Sequence, residues 1–520
     1  MPKTSFKKRK SENQKNHRQD AKTEIETTER SFKSHVLVIL VVAILLAFIA
    51  IQGVNFDRPF YAANDDDNTA YGLAAHNLAR FGFINLKFGM STKYFDSDQD
   101  NVPGSFYTNH PQWFVVPAAL SYKLFGISEV TTRLPSIIFS LLSIIAFYFT
   151  ISIVYKDKTV ALFATAAYAL FPGFLFYGSS LSEKAFIVFL STFAILSFFL
   201  LQTREEKYMK AVFIAMVFFG GLMGWHFYFA AAGLWLYALL RKDVKYRKFL
   251  LISTPLVSIL TVLINFLHFY ILNGIAFLSI FDQFKMRSGR LPLDVWAGRY
   301  GHWLSTSFTW PAVLVAAGFL VYVIYMAISK REFNLGLVYF TQPFLVILVF
   351  QQWSMHAFGS IYWVQFIALA LGLTLSKLVN LRPRQLQVVG SILAILLIGL
   401  CFKYGYDGFT QYNYKSGILQ PNDIELLKVI SEQTPQSTSV ALGSNTIGFS
   451  YRTVVEWYLL RKVTYDVTND KVSLLLLFNP GFGSTYRTQI AEAEENGFTL
   501  VRQASYFWLY QRAPANPNSQ

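Results

Sequence analysis

The chain has 520 residues, of which 53% are hydrophobic, 17% aromatic and only 15% charged. This composition is too apolar for a soluble globular protein and indicates a polytopic membrane protein. The formal net charge of +15 does not indicate nucleic-acid binding, because the Lys and Arg residues are grouped in short segments between apolar runs, as orientation signals are. The single cysteine, Cys401, lies in an apolar run, which excludes a disulfide framework and a thiolate metal cluster.

Residues 1–34 predict a disordered, basic cytoplasmic tail. The first 33 residues contain ten Lys or Arg and five acidic residues, with almost no large apolar side chains. A run of uncharged residues follows from Val36 to Val54. Because a signal peptide has a shorter basic region and a small-residue cleavage site, we expect this run to be a retained membrane anchor.

Apolar segments recur along the chain often enough to predict about eleven membrane spans. They lie at about residues 36–54, 131–154, 159–177, 185–202, 208–221, 225–240, 248–272, 310–328, 335–352, 359–378 and 387–404. Basic residues cluster in alternate connections, for example at Lys156/Lys158 and Lys330/Arg331, which places those connections in the cytoplasm. An odd number of spans with a cytoplasmic N-terminus puts the C-terminus on the outer side.

This pattern divides the chain into three parts: the tail, a transmembrane domain over residues 35–404, and an extracytoplasmic α/β domain over 405–520. The transmembrane domain has two long outer loops, at about 55–130 and 273–309, and long ordered loops are usually functional. Helices and strands of the last domain are predicted at Ile424–Gln433, Ser439–Leu442, Tyr451–Lys462, Val472–Phe478, Arg487–Asn496, Phe498–Arg502 and Tyr506–Arg512.

Three adjacent carboxylates, Asp65, Asp66 and Asp67, follow the first span. Tyr71 and the apolar residues after it predict a short amphipathic helix along the membrane surface, with the acids in its first turn. The acids could simply cap that helix. They could also bind calcium together with the acidic segment 96–101, although that segment lacks the glycine and glutamate of a calcium loop. The third hypothesis is a general base, whose affinity for protons rises through partial desolvation.

Other polar residues on the outer side are candidates for the same site. His110 precedes Pro111, where it could also mark a turn, and Arg133 could bind phosphate or pair with Glu129. Glu183 begins the fourth span, as a functional acid or as a cap paired with Lys184.

The second outer loop contains basic residues interleaved with aromatic ones. Arg287 and Arg290 lie on the side where the orientation rule disfavours cations, so they suggest a lipid phosphate as partner, or an interfacial helix with snorkelling arginines. His356 and Tyr362, at the outer start of the tenth span, could complete the same pocket.

The order of these motifs resembles the C-type glycosyltransferases of membranes, the group with the protein O-mannosyltransferases and the lipid A aminoarabinose transferases. Their Asp-Glu-x-x-Tyr is matched by Asp67-Asn68-Thr69-Ala70-Tyr71, with Asn68 in place of Glu. His110-Pro111, Phe125-Gly126 and Arg133-Leu134-Pro135 follow in the family's order, and Glu183 stands where an Asp is usual.

The resemblance implies a sugar donor on a polyprenyl phosphate and an inverting transfer to an extracytoplasmic hydroxyl of a protein, glycan or lipid. In this hypothesis Asp67 or its neighbour Asp66 is the base, Glu183 orients the acceptor or Asp67, and Asp65, Tyr71 and Tyr362 complete the pocket. His110, Arg133, Arg287, Arg290 and His356 are candidates to bind the phosphate, so no metal is required, with a divalent cation as the alternative.

The competing hypothesis is a transporter or flippase of lipid-linked sugars that performs no chemistry. It predicts polar residues deep in the spans, for which Asn265, His268 and His226 are the main candidates. A scaffold protein that acts through its C-terminal domain is a third interpretation, but it leaves the acid cluster unexplained. We expect a multi-pass enzyme of the cell membrane, a hexosyl- or pentosyltransferase whose partners are lipids and an envelope acceptor.

Overall fold

The computed structural model describes residues 36–54, 56–60, 65–97, 105–203, 208–414, 419–443, 449–465, 472–478 and 484–512. A helical bundle comes first in these ranges. Its first nine helices are α1 Val36–Gly53, α2 Asp65–Phe81, α3 Val116–Phe125, α4 Glu129–Tyr155, α5 Lys158–Leu170, α6 Pro172–Tyr177, α7 Glu183–Thr203, α8 Tyr208–Met223 and α9 Phe227–Leu240. The bundle continues with α10 Arg247–Asn273, α11 Ile280–Arg287, α12 Leu293–Phe308, α13 Trp310–Ser329, α14 Leu335–Val349, α15 Gln351–Ser354, α16 Val364–Val379 and α17 Arg384–Tyr414.

All eleven apolar segments predicted as spans are helical. By length and composition, seven helical stretches in the described ranges can cross a membrane; they contain α1, α4, α7, α10, α13, α16 and α17. Four further predicted spans are shorter helices of 13, 16, 14 and 15 residues: α5, α8, α9 and α14. The polytopic helical fold is therefore confirmed, and the number of spans stays a prediction.

Burial separates central from peripheral helices. The apolar stretches of α7 and of the segment Ala357–Val379 are 83% and 78% buried, whereas those of α1, α13 and α17 are only 17% buried. A membrane helix whose apolar surface is not covered by protein faces lipid. The helix that begins at Glu183 therefore lies at the centre of the bundle.

The first outer loop forms α2 and α3, and α2 is more enclosed than a helix lying on a membrane surface. Twelve of its 17 residues are buried. Small side chains at Gly72, Ala74 and Ala75 allow neighbours to approach both faces of this helix. The predicted amphipathic helix is present, but it is packed between other elements of the protein.

The C-terminal part is a five-stranded mixed sheet with three helices. Its elements are α18 Pro421–Gln433, β1 Ser439–Leu442, α19 Phe449–Leu459, β2 Val463–Thr464, β3 Val472–Phe478, α20 Ser484–Glu495, β4 Phe498–Gln503 and β5 Phe507–Arg512. The strand order is β2-β1-β3-β5-β4, with β2, β1 and β3 parallel and β5 antiparallel to both β3 and β4. Helix α17 continues ten residues past the predicted boundary at 404 before this part begins.

Helix α19 of the C-terminal part packs directly on α2. The hydroxyls of Thr69 and Thr453 are 3.1 Å apart, and the Tyr458 hydroxyl accepts a 2.7 Å hydrogen bond from the backbone N–H of Phe60. A Cβ atom placed on Gly72 would lie 2.8 Å from Nε1 of Trp457, so a larger residue here would force the ring or the helix to shift. The C-terminal part and the acid-bearing helix therefore lie on the same side of the bundle.

Candidate active site

A polar cavity of about 350 Å³ opens beside the first turn of α2. Its walls come from the two predicted outer loops, from the start of α7 and from the segment 352–358 between α14 and α16: Asp67, Tyr71, Tyr107, His110, Glu183, Lys184, Met286, Arg287, Gln352, Trp353, His356 and Phe358. Six of the predicted site residues thus meet here from distant parts of the chain: Asp67, Tyr71, His110, Glu183, Arg287 and His356. We call this space the polar cavity.

Asp67 is joined to the start of α7 by an ion pair. Its Oδ2 lies 2.8 Å from Nζ of Lys184, and the same Nζ lies 3.8 Å from Oε1 of Glu183. The side chains of Lys184 and Glu183 are 4% and 2% exposed, while that of Asp67 is 27% exposed. Because Asp67 lines the polar cavity, its accessible oxygen surface is available to a bound molecule there.

The environment of Asp67 favours proton uptake near neutral pH. Burial, together with the nearby charges of Asp66 and Glu183, raises the pKa of Asp67 to about 6, and the charge of Lys184 keeps it from rising higher. A carboxylate with a pKa near 6 is ionised at pH 7 and is a stronger base than an exposed aspartate. Burial also raises the pKa of Tyr71 well above its usual range, so this hydroxyl stays protonated.

Asn68, at the position where the resemblance implies a glutamate, links α2 to the turn before α7. Its amide Nδ2 donates to Oδ1 of Asp65 at 2.9 Å, and its Oδ1 accepts a 2.7 Å hydrogen bond from the backbone N–H of Leu181. Leu181 belongs to the turn that leads into Glu183. The Asn68 amide therefore helps to fix the position of Asp67 relative to Glu183 without adding a charge.

His110 lies in the cavity wall as a neutral side chain. It is 5% exposed, and within the described ranges its Nδ1 has no hydrogen-bond partner. Burial, with Arg287 and Lys184 nearby, lowers its pKa well below the usual value. His110 can therefore donate an N–H to a phosphate oxygen, but the cationic role predicted for it is not supported by its surroundings.

Arg287 lines both the polar cavity and a second, apolar space. This groove has a volume of about 390 Å³, and its walls are Asn109, Trp225, Tyr228, Phe229, Val262, Phe266, Ile280, Phe281, Gln283, Phe284, Arg287, Val349 and Phe350. Arg287 is half-buried and also lies within hydrogen-bonding reach of the Tyr107 hydroxyl. We call this second space the apolar groove.

Asp65 and Arg133 form a separate cluster outside the polar cavity. Asp65 Oδ2 lies 2.8 Å from Nη1 of Arg58, and its Oδ1 lies 3.9 Å from Nη2 of Arg133. Arg133 also donates to the backbone carbonyls of Phe56 and Arg58 and lies over the ring of Phe60. The phosphate role predicted for Arg133, and its alternative pairing with Glu129, are both replaced by this contact with Asp65. Glu129 instead accepts from Tyr458 and pairs with Lys428.

The remaining predicted residues differ in their distance from the cavity. Asp66 is half-buried and does not line it, Arg290 is exposed and lines neither space, and His356 is exposed at the cavity wall. Tyr362 is buried behind the wall, stacked on His226, with its hydroxyl lacking a partner in the described ranges. The positions of Arg290 and Tyr362 thus argue against direct contact with a phosphate in the cavity.

Sequence reasoning missed several cavity residues. Lys184 was expected only as a partner of Glu183, and Tyr107, Gln352 and Trp353 carried no recognisable motif. His226, one of the deep polar residues, stacks on Trp353 with ring centres 4.1 Å apart. A local pattern gives no signal for these residues because their partners lie more than a hundred positions away.

Metal binding has no support from the described residues, among which no group of three His, Cys, Asp or Glu side chains could hold an ion. The acidic segment at 96–101 lies mostly outside the ranges that the structure describes. The expectation that no metal is needed therefore stays a prediction.

Comparison with known proteins identifies the fold. The family model for dolichyl-phosphate-mannose-protein mannosyltransferase matches residues 109–272. No protein of curated function matches the chain in sequence.

Three solved structures resemble the chain over most of its length, at low sequence identity. ArnT from Cupriavidus metallidurans bound to undecaprenyl phosphate gives a TM-score of 0.63 at 13% identity, over 92% of this chain and 98% of ArnT. The oligosaccharyltransferase AglB from Archaeoglobus fulgidus, in complex with an inhibitory peptide and a dolichol-phosphate, gives 0.54 at 13% identity, over 94% and 75% of the two chains. The arabinofuranosyltransferase AftD from Mycobacteria gives 0.52 at 12% identity, over 93% of this chain and 40% of AftD.

These similarities agree with the order of motifs in the sequence. The match at residues 109–272 includes His110, Arg133 and Glu183, and the structural similarity extends to the C-terminal sheet. The chain therefore has the fold of the C-type membrane glycosyltransferases, and its residues 109–272 match their mannosyltransferase family.

Proposed function

We propose that this protein is an integral-membrane glycosyltransferase that moves a sugar from a polyprenyl-phosphate donor to an extracytoplasmic hydroxyl. The observation that carries the proposal is the position of Arg287, which lines both the polar cavity and the apolar groove. A polyprenyl-phosphate sugar has its parts in the same order: a polar sugar, a charged phosphate and an apolar chain. The ArnT and AglB structures, which contain undecaprenyl phosphate and dolichol-phosphate, support this class of donor.

The donor phosphate is placed where the two spaces meet. The guanidinium of Arg287 supplies a positive charge and paired N–H donors, and the neutral His110 supplies a further N–H. The aromatic side chains of the groove, including Trp225, Phe266 and Phe284, suit the first isoprene units. The sugar then lies in the cavity, beside Asp67.

Asp67 acts as the general base in this proposal. It takes the proton of the acceptor hydroxyl, the acceptor oxygen forms a bond to the anomeric carbon, and the carbon–oxygen bond to the phosphate breaks with its electron pair on the lipid monophosphate. Attack from the face opposite the leaving phosphate inverts the configuration. The raised pKa of Asp67, about 6, suits a base that works near neutral pH.

Glu183 orients the acceptor in this mechanism. Its Oε2 is buried and has no partner among the described residues, so it is free to accept a hydrogen bond from a sugar or acceptor hydroxyl. A leaving monophosphate is stabilised by Arg287 without a metal, and transfer is therefore expected to continue in the presence of EDTA. The sugar, the acceptor and the cell-membrane location with an outer C-terminal part belong to the proposal.

Loss of label from a radioactive donor tests the function directly. Purified full-length protein is incubated with polyprenyl-phosphate-linked hexoses and pentoses and with a cell-envelope fraction as acceptor. One of the labels is expected to leave the lipid with the wild-type protein and to stay on it with Asp67→Asn. If Asp67→Asn retains turnover while folded, the base assignment fails, and if no label leaves the lipid, the enzyme proposal fails.

The transporter hypothesis has less support from the deep polar residues. Asn265 donates to the carbonyl of Gly221 at 3.0 Å, and His268 lies 2.8 Å from the carbonyl of Lys87. Both side chains therefore hold helices and loops together. A transporter would move the lipid-linked sugar with the sugar–phosphate bond intact, which the label assay distinguishes from transfer.

A further inference from the structure

Lys184 is a buried amine in the wall of the polar cavity, at a position that costs free energy. It is the second residue of α7, where the helix macrodipole disfavours a positive charge. Its side chain is 4% exposed, and a buried ammonium needs partners to offset the loss of water. This cost indicates that the charge of Lys184 has a function in the cavity.

The partners of Lys184 are two acids and a ring. Its Nζ lies 2.8 Å from Asp67 Oδ2, 3.8 Å from Glu183 Oε1 and 4.7 Å from the ring centre of Phe358. The pair with Asp67 is close enough for a hydrogen bond, and the pair with Glu183 is longer. One ammonium is therefore shared unequally between the proposed base and the second acid.

The Lys184–Asp67 pair differs in exposure from a second buried ion pair of this protein, Arg58–Asp65, which has a structural role. The Arg58–Asp65 pair has side chains that are 6% and 4% exposed, and it lines neither of the two spaces. Lys184 and Asp67 both line the polar cavity, and Asp67 is 27% exposed there. The Lys184–Asp67 pair can therefore contact a molecule bound in the polar cavity.

We propose that Lys184 is a positioning residue that holds Asp67 in its ionised form and shifts its pairing to Glu183 when Asp67 receives the proton of the acceptor. The role rests on the proposed function, because it requires Asp67 to be the base. Lys184 keeps its own protons throughout: the acceptor proton moves to Asp67, and the electron pair of the breaking bond moves to the phosphate. Its charge then stays in the cavity next to the newly formed monophosphate.

The other charged and titratable groups around Asp67 also affect its pKa, and Lys184 acts against those that raise it. Asp66 on α2 and Glu183 on α7 both favour the protonated form of Asp67, as burial does. Tyr71 and His110 are neutral, and Arg287 and His356 line the same cavity. Removal of Lys184 would raise the pKa of Asp67 further above its usual value, so less of the base would be ionised at pH 7.

The pH dependence of transfer tests this role. The label assay is run from pH 5 to 9 with the full-length wild type and with Lys184→Met, Lys184→Arg and Lys210→Met. Lys210→Met is the matched control, because Lys210 lies over the ring of Tyr246, outside both spaces. Each rate is divided by the plateau rate of the same variant. A lower yield of folded protein then changes the plateau rate but leaves the midpoint of the pH profile unchanged.

The wild-type and Lys210→Met rates are expected to rise with a midpoint near pH 6, the pKa of Asp67. In Lys184→Met the midpoint is expected to move up by about one pH unit or more. At a pH below the midpoint, the rate, expressed as a fraction of the plateau rate, should then be about tenfold lower than in the wild type. Lys184→Arg, which keeps the charge, should leave the midpoint within about half a unit of the wild type.

Two results would overturn the role of Lys184. One is a Lys184→Met profile with the wild-type midpoint, lowered equally at every pH. The other is an unchanged midpoint with a raised KM for the donor, which would make Lys184 only a phosphate ligand. Loss of transfer in Asp67→Asn together with either result would leave the proposed function standing and reject this inference alone.

Discussion

Asp65 and Asp67 lie two residues apart on α2 and belong to different regions of the molecule. Asp65 is enclosed by Arg58 and Arg133, and both oxygens are in contact with cations. Asp67 shares a single ammonium with Glu183 and opens onto the polar cavity. Buried charges enclosed by opposite charges hold a structure together, whereas a charge left partly accessible can react. The comparison separates an acid that stabilises from an acid that is available for chemistry.

The largest expected effect is on the rate of transfer when Asp67 is changed. Asp67→Asn removes the proposed base and should lower the rate by about 10²–10⁴-fold, since that is the range for general-base groups. The melting temperature in detergent should fall less than in Asp65→Asn, because Asp67 is partly exposed and Lys184 keeps Glu183, 3.8 Å away, as an acidic partner. Transfer that continues at more than a tenth of the wild-type rate would remove the distinction between the two acids.

Asp65→Asn should act on stability. The change leaves the buried guanidinium of Arg58 without its 2.8 Å partner, which is expected to lower the free energy of unfolding by about 3–5 kcal/mol. Thermal unfolding in detergent measures the loss, and the remaining folded protein should keep the wild-type pH profile. A folded and stable Asp65→Asn protein without transfer would instead place Asp65 in the chemistry.

Arg287 and Arg290 provide a matched pair of cations three residues apart. Arg287→Met removes the charge where the cavity meets the groove and should weaken binding of undecaprenyl phosphate by about 1.5–3 kcal/mol, the contribution of a hydrogen bond to a charged group. Arg290→Met, at an exposed position that lines neither space, should bind it like the wild type. Binding can be followed by quenching of tryptophan fluorescence, and equal losses in the two variants would contradict the placement of the phosphate.

The smallest effect is expected at the contact between α2 and α19. Thr453→Val removes the 3.1 Å hydrogen bond to Thr69 and should lower the free energy of unfolding by about 1 kcal/mol. Because Thr69 is two residues after Asp67, the rate should also be measured. A rate loss near that of Asp67→Asn would show that the contact with α19 contributes to catalysis as well as to stability.

Elements with a regular local pattern could be predicted from the sequence. Strands Ser439–Leu442 and Val472–Phe478 have the predicted bounds, and each apolar segment became a helix. The two-residue strand Val463–Thr464 was missed, because so short a run has no period. The end of α17 at Tyr414 was also missed, because residues 405–414 extend the helix beyond its apolar part.

The sequence predicted where the candidate site lies better than it predicted which side chains form ion pairs there. The resemblance placed Asp67, His110 and Glu183 in one region, and the structure brings them to one cavity. It could not show that Arg133 pairs with Asp65 or that Lys184 pairs with Asp67, since these partners are 68 and 117 positions apart. Which carboxylate is enclosed and which remains accessible is decided by such contacts between distant segments.

The absence of a side chain at Gly72 has a consequence for protein engineering. Trp457 of the C-terminal part fills the space that any larger residue would need at this crossing, directly behind the helix that carries the acids. A chimera that receives its C-terminal part from a relative must therefore also receive the matching outward face of α2. A grafted face of α2 with a larger residue in place of Gly72 would set its side chain against Trp457, so the ring or the helix would have to shift.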